Sequence, residues 1–230
     1  MNISEWNIKA KIWLNSVPGE GVLEAYEREW LDFARYQLPV VTIFGSYDTG
    51  KSALLRRILT DASCEVPEWL TISARHETFE VNQTEGLGCV LRDTPGIVSD
   101  YSDMRGSEHT SRAEAAATLT DALILVLNPQ LLTSEFSEIS SIVGDRWGHD
   151  ALIVVIARFD DAGVDPTDNV VGYEELAHRR RIELRESLKL PPAFPVFVVA
   201  ADPFQVAGQA LDVSRNVWDE FRPLDGVGLL

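Results

Sequence analysis

The chain has 230 residues, of which 45% are hydrophobic and 24% are charged, a balance typical of a folded globular domain. Its formal net charge of −16 repels nucleic acid and anionic lipid, so we expect no nucleic acid partner, while a peripheral membrane role stays undetermined. Cys64 and Cys89 lie far apart, and the sequence has neither a long apolar run nor a signal-peptide pattern. These features predict a cytoplasmic protein without a transmembrane segment.

The first 37 residues predict a helical extension ahead of the main domain. In GVLEAYEREWLDFARYQ, large apolar side chains recur every three or four residues, as on one stripe of an amphipathic helix: Leu23, Tyr26, Trp30, Phe33 and Tyr36. The stripe packs on the following domain or forms an oligomer or bundle face, and the pattern leaves both open. We expect the extension to cover residues 1–37, a main domain residues 38–222, and a C-terminal tail residues 223–230.

From residue 39 onward, β-type and helical segments alternate. PVVTIFG predicts a strand and ALLRRIL a helix, while ETFEV and GCVLR predict a hairpin around NQTEG. Near-continuous apolar runs at 121–128, 151–159 and 194–201 are typical of parallel strands covered on both faces.

Helical patterns fill the gaps, roughly at residues 107–119, 133–144, 172–188 and 203–221. Asp202 and Pro203 suit the N-cap and first position of the last one. We interpret the basic run HRRRIELR, residues 178–185, as a solvated helix face. The alternation predicts an α/β fold, a doubly wound and mostly parallel sheet.

The segment GSYDTGKS, residues 45–52, lies between a predicted strand and a predicted helix. Gly45 and Gly50 let the backbone curl so that its N–H groups and the helix N-terminus face an oxyanion. Lys51 then reaches the β- and γ-phosphates of a nucleotide, and the Ser52 hydroxyl binds Mg²⁺. The other expected phosphate-binding residues are Ser46, Tyr47, Asp48, Thr49 and Ala53.

Two further segments narrow the choice of nucleotide. CVLRDTPG ends a predicted strand in Asp93, which can hold the Mg²⁺ water shell, and Gly96 can offer its N–H to a γ-phosphate. VVIARFDD places Asp160 after another strand, where a carboxylate can accept from the N1–H and 2-amino groups of guanine. Adenine offers no such pair of donors, so the pattern favours a guanine nucleotide.

Together these motifs resemble a P-loop GTPase domain of the translation-factor-like class, near its dynamin-like and Era/TrmE-like branches. GSYDTGKS matches the first motif of that class and DTPG the third. ARFD resembles the fourth motif, with Ala157 and Arg158 at the Asn/Thr and Lys positions, and the Arg158 guanidinium can stack over the base. VAAD resembles the fifth, in which Ala200 or Ala201 presents a backbone N–H to the guanine carbonyl.

The resemblance implies a protein that hydrolyses GTP to GDP with Mg²⁺ and serves as a conformational switch or assembly module, with Lys51 a catalytic residue. The switch hydroxyl of the second motif is Ser73 or Thr78, with Ser73 the preferred Mg²⁺ ligand. Asp48 occupies the position of a potassium-binding Asn in Era/TrmE-like proteins, so it is a candidate K⁺ ligand, unless it hydrogen-bonds its own loop.

The same resemblance implies a GTP-dependent homodimer formed through the GTPase domain. An alternative is a GTP-binding sensor or assembly module with negligible turnover, because Ile97 stands where Ras-type GTPases have a water-orienting Gln. A third class, a small-molecule or nucleoside kinase, would need an acceptor site and lid arginines.

Overall fold

The computed structural model describes residues 33, 35–70, 80–97, 112–130, 136–143, 151–210 and 212–230. The predicted N-terminal extension falls almost entirely outside these residues, as do Ser73 and Thr78. Within them, no helix combines the length and apolar character that crossing a bilayer requires.

The described strands form one six-stranded sheet. The strands are β1 (Val40–Phe44), β2 (Asn82–Gly86), β3 (Cys89–Asp93), β4 (Ala122–Leu127), β5 (Leu152–Ile156) and β6 (Val196–Val198). Their order is β2-β3-β1-β4-β5-β6, and every neighbouring pair is parallel except the β2–β3 hairpin. This confirms the predicted α/β fold with a mostly parallel sheet.

Helices cover both faces of the sheet. Those with described bounds are α1 (Lys51–Asp61), α2 (residues 112–118), α3 (Phe136–Val143), α4 (Val170–Ser187) and the short α5 (Arg222–Asp225). Because side chains alternate along a strand, Leu123 and Leu125 of β4 point into the core shared with α2, α3 and α4, while Ile124 and Val126 join the core under α1. Strands buried on both sides explain the near-continuous apolar runs.

The predicted hairpin is wrong in its register. NQTEG is itself the first strand, Asn82 pairs with Asp93, and the turn is made by Leu87 and Gly88, both with positive φ. The strand escaped prediction because β2 lies at the edge of the sheet, where alternate side chains are exposed and polar residues cost little.

The predicted helix over residues 203–221 is also wrong. In its place are two 3₁₀ turns, Pro203–Gln205 and Arg215–Trp218. Asp202 does not cap a helix but accepts from the backbone N–H groups of Ala207 and Gly208, five and six residues further along the chain, at 2.9 and 3.0 Å. A side chain that bonds nearby backbone in this way competes with helix formation.

The basic run on α4 is not simply a solvated face. Arg181 Nε donates to the carbonyl oxygen of Val196 at 3.1 Å, and Arg185 Nε donates to that of Phe194 at 2.7 Å. Two arginines of the run therefore bind β6 and the residues just before it.

Candidate functional site

The loop between β1 and α1 has the curled form expected of a phosphate cradle. Gly50 precedes α1 in a left-handed conformation (φ 85°), and Thr49 Oγ1 donates to the Ser46 carbonyl oxygen at 3.0 Å. Lys51 opens the helix and turns back over the loop, so that its Nζ lies 2.6 Å from the Ser46 carbonyl oxygen and 3.3 Å from that of Gly45. Ala53 follows, half-buried, in the first helical turn.

Lys51 is a buried amine. Burial lowers its pKa from 10.5 to about 8, although the negative charges of Asp93 and Asp48 act in the opposite direction. A cation held in this environment interacts strongly with an arriving phosphate, because little water competes with it.

The end of β3 meets the start of α1 beside this amine. Ser52 Oγ donates to Asp93 Oδ2 at 2.6 Å, and Thr94 Oγ1 donates to the Ile43 carbonyl oxygen at 2.8 Å. The fold thus brings together Ser52 and Asp93, the two residues that the sequence analysis assigned to Mg²⁺. A hydroxyl and a carboxylate are hard oxygen donors of the kind that Mg²⁺ prefers, so the donor set fits that ion.

The DTPG loop is bonded to the phosphate loop along the backbone. Ile97 N–H donates to the Gly45 carbonyl oxygen at 3.2 Å, and Tyr47 N–H donates to that of Ile97 at 3.0 Å. Gly96 lies directly against the backbone of Tyr47. Ile97 itself is fully buried in the core, which accounts for an apolar side chain at this position.

An ion-pair bridge joins the phosphate loop to the ARFD segment. Arg158 Nη1 lies 2.6 Å from Asp48 Oδ2 and donates to the Asp48 carbonyl oxygen at 3.0 Å. Its Nη2 donates to Asp161 Oδ2 at 2.8 Å. The Asp48 carboxylate therefore faces a partner 110 residues away in sequence, a contact that sequence analysis did not anticipate.

Asp160 lies just after the carboxyl end of β5, and contacts on both sides hold it in place. The preceding Phe159 is buried and makes an edge-on contact with Tyr173, with ring centroids 5.1 Å apart. Asp160 Oδ2 accepts from the Phe204 backbone N–H at 3.0 Å. Burial raises the pKa of the Asp160 carboxyl above its ordinary value, and the Phe204 N–H bond acts against that rise.

The two candidate guanine-carbonyl donors, Ala200 and Ala201, follow β6 and are buried. Ala200 N–H donates to the Asp225 carbonyl oxygen at 2.9 Å, whereas Ala201 offers its carbonyl oxygen to Arg57 Nη1 at 3.2 Å. The Ala200 donor is thus used within the fold, and Ala201 is the candidate that remains for a ligand.

Sequence reasoning missed several residues that hold these loops: Arg56, Arg57, Asp161, Phe204 and Asp225. One signal was present in the sequence. ALLRRIL places two arginines inside an otherwise apolar helix, and charged side chains are rarely buried there without partners.

Comparison with known families agrees with this geometry. The sequence model described as 50S ribosome-binding GTPase matches residues 40–158, just over half of the chain, from β1 through Arg158. The chain belongs to this GTPase family. Membership supports a guanine nucleotide as the ligand of this chain.

Solved structures of other GTPases are similar to this chain. LeoA, a bacterial dynamin GTPase from ETEC, is 17% identical over 99% of this chain and 43% of its own, with a TM-score of 0.55. Aquifex aeolicus Era bound to GDP·AlF₄⁻ is 20% identical over 82% of this chain and 56% of its own, with a TM-score of 0.48. Another Era structure, with MgGDPNP and part of 16S ribosomal RNA, is 20% identical over 81% and 55%, with a TM-score of 0.49.

The GTPase chain described here spans little more than half the length of the two Era chains and less than half that of LeoA. At 17% identity the likeness to LeoA concerns the fold alone. Among curated proteins, no sequence matches this chain.

Proposed function

We propose that this protein binds GTP with Mg²⁺, hydrolyses it to GDP and phosphate, and uses the nucleotide state as a switch or assembly signal. The observation that carries the proposal is the Ser52–Asp93 hydrogen bond of 2.6 Å beside the buried Lys51 amine. In this proposal the GTPase domain of a cytoplasmic protein begins at residue 38 and includes residues 223–230, predicted above to be a tail, because the buried Asp225 is paired with Arg57.

Each group around the loop has a distinct role in the proposal. The Lys51 amine and the backbone N–H groups of residues 46–53 bind the phosphates, except that of Tyr47, which donates to Ile97, while Ser52 and Asp93 hold Mg²⁺ directly and through its water shell. Bound Mg²⁺ would neutralise charge on the β- and γ-phosphates. Gly96 presents its N–H to the γ-phosphate, and the switch hydroxyl comes from Ser73 or Thr78.

The base is recognised by residues that follow the carboxyl ends of β5 and β6. Asp160 accepts from guanine N1–H and the 2-amino group, and the Ala201 N–H donates to the guanine carbonyl oxygen. The Arg158 stem passes Gly50, with Arg158 Cγ 3.2 Å from the point where a Gly50 Cβ would lie, which supports a place for it between base and phosphates.

Replacing Asp160 with asparagine tests the base assignment. Wild-type protein is expected to bind GDP at least about tenfold more tightly than ADP, since an unmatched buried polar group costs about 1–3 kcal/mol. Asp160→Asn should favour XDP over GDP, because the amide can donate where the carboxylate only accepts.

Competition against a fluorescent guanine nucleotide measures this preference, with Asp165→Asn as a matched control on an exposed loop. Equal binding of ADP and GDP by the wild type would refute the assignment of Asp160.

Hydrolysis needs a group that supplies positive charge near the β–γ bridge. We propose slow basal turnover, stimulated by K⁺ at Asp48 and by GTP-dependent pairing of two GTPase domains. Because Arg158 lies 2.6 Å from the Asp48 carboxylate, the potassium role requires that nucleotide binding releases Arg158 from Asp48.

Phosphate release at fixed ionic strength, in potassium or sodium chloride and over a range of protein concentrations, tests both parts. The rate per protein is expected to rise in potassium and with protein concentration, and Asp48→Ala should abolish the difference between the two salts. A rate per protein that changes neither with the cation nor with the protein concentration would contradict both the potassium role and the pairing.

The second candidate function is a GTP-dependent sensor or assembly module with negligible turnover. It is favoured by Ile97, whose fully buried side chain cannot orient water, and by the pairing of Asp48 with Arg158. Tight GTP binding with no phosphate release in either salt would support this alternative.

A further inference from the structure

A buried charged cluster packs against the residues that follow β6, and none of its side chains was assigned above to contact the phosphates or the base. We call it the arginine clamp, and it consists of Arg56 and Arg57 on α1 with Asp202 and Asp225. Both arginines are 0% exposed. Two cations in a protein interior are tolerated only when charges and hydrogen bonds compensate them, so their partners define what the clamp holds.

Arg57 holds the end of β6 and the C-terminal residues together. Its Nη2 is bonded to the Asp225 carboxylate, and its Nη1 donates to the Ala201 carbonyl oxygen at 3.2 Å. Its Nε donates to Asp61 Oδ2 at 2.7 Å, and its guanidinium carbon lies 4.3 Å from the centroid of the Trp218 ring. The side chain is thereby fixed in position and direction.

Arg56 holds the loop that follows. It donates to the carbonyl oxygens of Gly208 and Ala210 at 2.7 and 2.9 Å, and to Asp202 Oδ2 at 3.1 Å. Asp202 also accepts from Trp218 Nε1 at 2.9 Å. Residues 202–210 are therefore folded around one carboxylate and one guanidinium.

The C-terminal residues close the cluster from below. Ala200 N–H donates to the Asp225 carbonyl oxygen at 2.9 Å, and Asp225 Oδ1 accepts from Val227 N–H at 2.9 Å. Gly226 has a φ of 68°, and a Cβ there would lie 2.1 Å from the Val198 carbonyl oxygen. Val227 and Leu230 pack against the core under α1.

We propose that the arginine clamp and residues 215–230 are part of the guanine subsite, as the device that positions the Ala201 N–H. The peptide groups on either side of that N–H are both held, one through the Ala200 N–H by Asp225 and the other through the Ala201 carbonyl by Arg57. The peptide between them has no freedom to turn its donor away from the ligand.

The clamp also links the two ends of the nucleotide site. The helix that begins with Lys51 and Ser52 carries Arg56 and Arg57 about one turn later. These arginines tie α1 to residues 201–210, which follow β6. The spacing between phosphate and base subsites is thereby set. This inference rests on the proposed guanine-nucleotide binding.

Two substitutions test the clamp. Arg57→Lys keeps a positive charge but cannot bond Asp225, Ala201 and Asp61 together, and Asp225→Asn keeps the shape while weakening the pair. Each is expected to lower the affinity for GDP about tenfold or more, with pyrophosphate affinity within about twofold of wild type, since base contacts are lost and phosphate contacts remain. Arg180→Gln, in an ion pair on α4, is the control and should change neither affinity.

Calorimetry and competition with pyrophosphate give the affinities, and far-ultraviolet circular dichroism verifies folding. If Arg57→Lys does not fold, the milder Asp225→Asn carries the test. Wild-type protein that fails to bind GDP would overturn the proposed function itself. Wild-type binding together with variants that keep both affinities, or lose both equally, would overturn the clamp alone.

Discussion

Replacing Lys51 with alanine is expected to weaken GTP and GDP binding by about a hundredfold or more, which is about 2.7 kcal/mol or more, while the protein stays folded. The Lys51 amine lies among the carbonyl oxygens of Gly45 and Ser46, and its charge is the cation that the loop offers to the phosphates. Ser52→Asn should likewise nearly abolish triphosphate binding with Mg²⁺, because it replaces the hydroxyl bonded to Asp93.

Calorimetry measures both affinities, and Lys189→Ala, at an exposed turn, is the matched control. The pH profile gives an independent check. In the free protein the pKa of Lys51 is about 8, lowered mainly by burial, and bound phosphate must raise it. Affinity should therefore be fully present below pH 8, fall as the pH rises through 8, and lose this fall in Lys51→Ala. Unchanged affinity in folded Lys51→Ala would refute the phosphate-loop assignment.

Gly45→Ala is expected to destabilise the whole domain by about 3 kcal/mol, or roughly 10 °C in melting temperature for a chain of this size. A Cβ at Gly45 would lie 2.0 Å from the carbonyl oxygen of Val126, which belongs to the backbone of β4 and cannot rotate away. The phosphate loop would have to separate from the sheet, taking with it the hydrogen bonds between this loop and Ile97.

Thermal and urea unfolding measure the loss. Gly228→Ala serves as the control, because an added Cβ there has no heavy atom within 4 Å, and its stability should match the wild type. Equal stability of the two variants would mean that the close approach of Gly45 to β4 does not exist in solution.

The sequence predicted those parts of the fold that local patterns determine. Apolar runs predicted β4 and β5 because both faces of these strands are buried, and the glycine spacing predicted the loop before Lys51. It did not predict β2, an edge strand whose polar residues resemble a loop. The conformation of the chain after Asp202 was not predicted either. It depends on hydrogen bonds from Arg56, about 150 residues earlier in the sequence.

The site divides in the same way. The approach of Ser52 to Asp93 could be predicted, because the carboxyl ends of parallel strands meet at one edge of a sheet. The bridge from Asp48 to Arg158 could not, because which side chains meet across two loops depends on how each loop folds. The buried arginines carried a signal, two charges within an apolar helix, but the sequence did not say which carboxylates would meet them.

The two arginines of α4 that bind the chain around β6 also protect one edge of the sheet. They occupy the outward carbonyl oxygens of Phe194 and Val196, and Gly226 lies over that of Val198. At the opposite edge of the described sheet, strand β2 is polar and exposes Glu85. Exposed edge strands can pair with strands of other molecules. Both edge strands of the described sheet are protected in this way, so we expect them to resist aggregation while the domain is intact. A form that loses α4 or the residues from Gly226 onward would uncover β6, and we expect it to aggregate more readily than the intact domain.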